Sequence, residues 1–172
     1  MMNILNIIKE RRSVRRFLNK LIPKETQDAL KEAIIWAPSA GNLQSRKFYF
    51  IFNQTIKKDL AKAALGQSFI AKAPLVIVGC VDLRIKDHYG ERGAKLYAVQ
   101  DVSASIQNVL LVAHDLGLAS VWVGAFSEDE VRKILKLPHF LRPISILPVG
   151  YTSIHPRAPG RVSVEDAIDI IE

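Results

Sequence analysis

Leu75-Val76-Ile77-Val78-Gly79-Cys80-Val81 is the one unbroken apolar run of strand length in the chain. A strand of this kind is buried on both faces, because a strand with one wet face alternates apolar with polar residues. Cys80 lies inside the run and is expected to be a buried, inert thiol. On the N-terminal side, residues 54 to 65 read as a helix stopped by Gly66. Before them, Lys47 to Phe52 reads as a strand with aromatics at alternate positions. On the C-terminal side, Asp82 to Gly93 is polar and basic and reads as a loop, the most mobile element. Leu96 to Leu116 is the longest helix. Its stripe Val99, Val102, Ile106, Val109, Leu110 and Ala113 is widened by Ala104, Leu111 and Val112, which predicts a second contact beyond the core, with another subunit.

Further outward the pattern continues. Ile4, Leu5, Ile7 and Ile8 give a short helix over residues 3 to 10. Pro23 can open a helix whose stripe Ala29, Leu30, Ala33, Ile34, Ala37 must stop before Pro38. Past the long helix, Val121 to Val123 is a short strand. Ser127 and Glu130 form a capping box for a helix reaching Lys136. Ile144 to Val149 is another strand, and Ser163 can cap a last short helix after a Pro-rich tail. Neither repeat nor linker interrupts residues 1–172, so one domain is expected. Alternating strands and helices usually argue a parallel, doubly wound sheet. Only Leu75–Val81 is apolar enough for that, so a mixed sheet remains open.

Composition narrows the function classes. Of 172 residues, 49% are apolar and 24% charged, which is ordinary globular usage rather than disorder. The net charge of +7 favours anionic partners without choosing among nucleotides, nucleic acid and a membrane surface. A single cysteine excludes an intrachain disulfide and a CxxC site. The N-terminus carries no basic n-region, and no segment approaches the ~20 apolar residues needed to span a bilayer, so a cytoplasmic protein is expected. No glycines are spaced GxG and there is no GxSxG. His88, His114, His139 and His155 are scattered without metal-ligand spacing, so no metal site is expected. With one buried thiol as its only redox side chain, any electron chemistry must come from a cofactor.

Three segments could hold one. Arg11-Arg12-Ser13-Val14-Arg15-Arg16 sets four guanidinium groups beside a hydroxyl. By itself it is equally a solvated basic face or a non-specific nucleic-acid contact. A phosphate monoester, with roughly −1.5 to −2 charges, suits guanidinium forks. Two or three such bonds at about 1.5–3 kcal/mol each supply about half of the ~8 kcal/mol of a micromolar complex, so an aromatic body must be buried as well. Pro38-Ser39-Ala40-Gly41-Asn42-Leu43-Gln44 offers hydroxyl and amide groups suited to an isoalloxazine edge, and also suits an ordinary helix-to-strand turn. Trp122 to Phe126, with Leu147 to Tyr151, places Gly124 after a strand, where a ring can approach the backbone.

The ordered set RRSVRRF, APSAGNLQ, APLVIVGCVD (73–82), DVSASIQNVLLVAHDLGLASVWVGAF, LPVGY and Arg161 resembles the nitroreductase family of flavin-dependent oxidoreductases over nearly the whole chain. The resemblance implies an α+β, three-layer α/β/α fold whose mixed, largely antiparallel sheet is flanked by helices. It implies a homodimer with two FMN sites at the interface. Arg11 and Arg161 look like phosphate ligands, with Arg12 and Ser13 nearby. Arg15 would lie at the pyrimidine and ribityl side, where a cation stabilises charge on reduced flavin. Pro38, Ser39, Ala40, Asn42 and Gln44 would reach the flavin of the opposite subunit. Val123 and Gly124 would contact the cofactor, Gly124 near flavin N5, and Gln67 would touch the ring. No side chain is assigned catalysis, since flavin N5 does the chemistry.

The implied activity is a ping-pong cycle in which NADH or NADPH reduces FMN and a nitroaromatic or quinone then reoxidises it. Three departures bear on substrate. Ser45-Arg46 replaces the family's Pro-Trp, the 82–95 region is short, and Pro159-Gly160-Arg161 replaces Lys-x-Arg, with Arg157 a candidate substitute. An FMN-binding protein without nicotinamide turnover is the alternative. A basic nucleic-acid module is disfavoured, because only Phe17 interleaves an aromatic with the arginines.

Overall fold

A computed structural model of the protein describes residues 3–172. Four strands form one sheet in the order β1-β2-β4-β3: β1 (Arg46–Ile51), β2 (Leu75–Asp82), β4 (Leu141–Gly150) and β3 (Ala119–Ser120). All three pairings are antiparallel. One isolated parallel bridge, Ser13 to Ser120, carries the N-terminal segment alongside the edge and makes the arrangement mixed. The antiparallel sheet of the family resemblance holds, and the parallel sheet suggested by alternation does not.

The period of two explains the layers. Leu75, Ile77 and Val81 of β2 enter one apolar cluster, with α2 (Lys24–Ile35) and α6 (Ala98–Asp115). Val76, Val78 and Cys80 enter the other, with α3 (Gln54–Ala63), α4 (Phe69–Lys72) and α7 (Glu128–Leu135). A strand that feeds two cores has no polar face to show, hence the unbroken run. Burial raises the Cys80 thiol to about 12, so it stays protonated and inert. Gly79 is where α6 and β1 close on the sheet. A Cβ there would lie 2.6 Å from Ser145 Oγ, 2.9 Å from Phe48 and 3.2 Å from Val102.

The remaining elements follow their caps. Asn3 accepts from Leu5 N at the start of α1 (Ile4–Glu10), Ser127 Oγ accepts from Glu130 N at α7, and Ser163 Oγ accepts from Asp166 N at α8 (Val164–Ala167). Two sequence expectations are corrected. The stretch read as a loop, Asp82 to Gly93, is helical from Leu83 onward: a turn at Leu83–Ile85, then α5 (Lys86–Arg92) broken at Gly90, then a wide π-type turn Gly93–Tyr97 running into α6. Asp82 starts the turn by accepting from Arg84 N, Glu91 pairs with Lys86 and Lys95, and Ile85 and Ala94 are buried. Gly93 is needed because a Cβ would lie 2.6 Å from that of Tyr89. The short strand is Ala119–Ser120 rather than Val121–Val123, with Val123 keeping a bridge to Ile146.

Candidate active site

α1 ends at Arg11, and the chain then runs extended past Ser13. Arg11, Arg12, Ser13, Arg157 and Arg161, with Pro156 and Pro159, line an open basin of about 290 Å³. No carboxylate lines it, and among the described residues none of these arginines enters a salt bridge. Burial, then the neighbouring Arg12 and Arg161 charges, hold the Arg11 guanidinium below its ordinary value. Cations that repel one another without an internal anion fit an anionic ligand. Arg12 donates to the carbonyls of Lys9 and Arg11, which turns it back over the end of α1.

The parallel bridge at Ser13 leads both strands onward, to Arg15 on one side and to Val123 and Gly124 on the other. Arg15 stands 5.9 Å above the Phe69 ring. Gln67 Nε2 donates to Ala64 O and to Ala125 O, which pins the segment after Gly124. Gly124 is exposed, its φ is not left-handed, and a Cβ there would meet nothing within 4 Å. Neither backbone nor packing within the chain demands a glycine at this position, whereas a flat ligand laid on the backbone would.

The Pro38–Gln44 loop is built separately and held firmly. Arg46 donates to the carbonyls of Ile35 (3.0 Å), Ala37 (2.9 Å) and Pro38 (3.2 Å). Ser105 and Asn108 of α6 take the carbonyls of Ile34 and Ala33, so the last turn of α2 is satisfied by side chains. Asp101 Oδ1 accepts from Ala40 N at 2.9 Å, and Ser39 Oγ from Gln44 N at 3.0 Å. Gly41, Asn42 and Gln44 all have left-handed φ, 54°, 56° and 53°. Gly41 adopts this backbone without strain, and a Cβ there would push the end of the Tyr89 side chain aside. Asn42 and Gln44 are exposed, so their amides are available to a partner molecule.

Arg46 and Asp101 were not foreseen as site residues. Arg46 was visible only as the replacement of an expected Trp. Asp101 had a signal, an acid four residues before Ser105 on a stripe that is otherwise apolar and buried.

The loop and the arginine basin lie at opposite ends of the same chain, by two independent measures. Arg46 is opposite Val81, whereas Ser120, Ser13's partner, is opposite Val149 and through it Leu75. The six residues of β2 between Val81 and Leu75 span about 20 Å. Ala40 is tied to Asp101 near the start of α6, while Arg11 and Arg12 share a cavity with His114 at its end. Those thirteen residues also span about 20 Å. One chain therefore holds the loop and the basin about 20 Å apart.

These features define a helix-flanked antiparallel α+β protein with a basin of arginines that no carboxylate lines. A sequence profile described as the nitroreductase family matches residues 8–82 and 64–151. The chain belongs to the nitroreductase family, whose members are FMN- and NAD(P)H-dependent oxidoreductases. A relative from Methanothermobacter thermautotrophicus, provisionally named an NADH dehydrogenase/NAD(P)H nitroreductase, is 31% identical over 95% of this chain and 87% of its own length. A solved structure with the same provisional name, from Parabacteroides distasonis, superposes with a TM-score of 0.83 at 28% identity, covering 94% of each chain. The NADPH:FMN oxidoreductase of Vibrio harveyi shares the fold, with a TM-score of 0.90 at 22% identity over 98% of this chain and 77% of that one.

Proposed function

We propose that the protein is an FMN-dependent oxidoreductase that takes electrons from NADH or NADPH and reduces nitroaromatics, quinones or similar acceptors. The observation that carries this is the basin of arginines without a carboxylate, bridged through Ser13 and Ser120 to the segment that leads to Gly124, a glycine that nothing in the chain requires. Arg11, Ser13 and Arg161 hold the cofactor phosphate, with Arg12 behind them. Arg15 supplies positive charge at the ring's pyrimidine side, and Val123 and Gly124 offer backbone to the ring. FMN held by these residues would supply the redox chemistry, carrying electrons from NADH or NADPH to the acceptor in a ping-pong cycle. The side chains bind and orient, and none is assigned a proton.

The second half of the pocket comes from another copy of the chain. The ~20 Å between the basin and Pro38–Gln44 supports this, because Pro38, Ser39, Ala40, Asn42 and Gln44 then complete a partner's site. Residues 1–172 act as one domain, and a nicotinamide reductant goes with a cytoplasmic location. Among the described residues no helix is long and apolar enough to cross a membrane.

The test is spectroscopic. The purified protein is expected to be yellow, with a two-band flavin spectrum that NADH or NADPH bleaches anaerobically. Colourless protein that also fails to take up added FMN sinks the proposal. Flavin that neither nicotinamide reduces favours an FMN-binding protein without turnover. Arg11→Ala is expected to release FMN on dialysis, and unchanged occupancy counts against the phosphate assignment.

A further inference from the structure

The basin carries more positive charge than one phosphate monoester uses. Arg11, Arg12, Arg157 and Arg161 bring about four charges at neutral pH, since guanidinium does not deprotonate there. The cofactor phosphate brings roughly −1.5 to −2. About two positive charges are left over in a basin that no carboxylate lines. The space agrees with the charge. About 290 Å³ is room for on the order of ten waters at ~30 Å³ each, beyond what the five heavy atoms of a phosphate fill.

The four guanidinium groups are not equivalent. Arg11 is partly buried and close to Arg12 and Arg161. Arg12 is turned back onto the carbonyls of Lys9 and Arg11. Arg161 donates to Gly160 O, beside the ring of basin residues. Arg157 is exposed, makes no side-chain hydrogen bond or salt bridge among the described residues, and sits between Pro156 and Pro159, whose fixed φ holds it at the basin wall. Of the two whose guanidinium makes no hydrogen bond or salt bridge among the described residues, Arg11 and Arg157, it is the exposed one.

We propose that Arg157 binds the 2′-phosphate of NADPH at the outer rim of this basin and so determines a preference for NADPH over NADH. This rests on the nicotinamide-oxidising function proposed above. The 2′-phosphate is the one group that distinguishes the two reductants, and as a monoester dianion it matches the leftover charge. A guanidinium is the side chain suited to it, by bidentate geometry as well as charge.

The test uses the FMN-loaded protein with 2′,5′-ADP and 5′-AMP as probes in calorimetric titrations, beside steady-state kinetics with each nicotinamide. The wild type is expected to bind 2′,5′-ADP roughly tenfold more tightly than 5′-AMP, the value of one exposed charge-assisted contact. Arg157→Gln should erase that difference and raise the NADPH:NADH ratio of KM values by about the same factor. Arg157→Lys, which keeps the charge without the fork, should recover part of it. Equal weakening of both probes places the contact on the 5′-phosphate or pyrophosphate and overturns the proposal. So does a wild type that does not distinguish the probes, or flavin loss from Arg157→Gln equal to that from Arg11→Ala, which makes Arg157 a ligand of FMN. Flavin that neither nicotinamide reduces defeats the underlying function instead, and the probe titrations separate the two failures.

Discussion

Arg46 stands where the family's Pro-Trp turn would put an indole, and its guanidinium takes over three backbone carbonyls at the end of α2 and the start of the loop. Arg46→Met keeps the length of the stem and removes every donor. It is expected to cost about 1.5–3 kcal/mol, read as a shift in the urea midpoint, because partly buried carbonyls lose a charged partner. If the loop is a cofactor contact in trans, the same variant also weakens FMN retention. Asp82 offers a pH test. Its hydrogen bonds to the Arg84 guanidinium hold its carboxyl below the usual carboxylate value. A depressed folded-state pKa gives stability that is present above the unfolded value near 4 and lost as pH falls through the folded one. Thermal melts between pH 5 and 2 should therefore fall less steeply for Asp82→Asn than for wild type. Identical slopes would show the pair to be energetically silent, as many exposed pairs are.

At the scale of elements, β2 is where sequence and structure agree most closely. A run with no polar residue can only be a strand between two cores, and it is one. Gly79 makes that packing testable. Gly79→Ala pushes a methyl into Ser145, Phe48 and Val102, and should destabilise by about 1–3 kcal/mol, lowering Tm by several degrees. The helices that begin after Ser127 and Ser163 were legible for the same reason, since each capping side chain carries its signal locally. Residues 83–97 were not. Their helicity rests on Asp82 as a cap, on Glu91 shared between two lysines, and on Tyr89 packing edge-on against Tyr97 at 5.4 Å. Each is a contact between residues that composition counts as polar or as loop-forming. The short strand was misplaced by two residues because its pairing is set by β4, not by its own sequence.

For the whole molecule, the order of the motifs does not by itself place the arginine run and the Pro38–Gln44 loop at opposite ends of one chain. That separation is set by the pairing of β2 with both neighbours and by the length of α6, neither of which any motif encodes. The C-terminal segment makes the same point, since Val162, Val164, Ile168, Ile170 and Ile171 are 61–95% exposed. So much apolar surface on one arm needs a cover, and the proposed second copy can provide it. Removing residues 162–172 should shift the native protein from dimer towards monomer in sedimentation and lower its flavin content. A full-length protein that sediments as a monomer with full FMN would refute the shared site. The ~20 Å between basin and loop also makes the proposed dimer open to genetic complementation. A chain crippled at Arg11 and a chain crippled at Asn42 are each inactive alone. Co-expressed, they form mixed dimers in which one pocket inherits both lesions and its twin inherits neither. About a quarter of all pockets should then revive, as statistical pairing across a two-fold axis dictates.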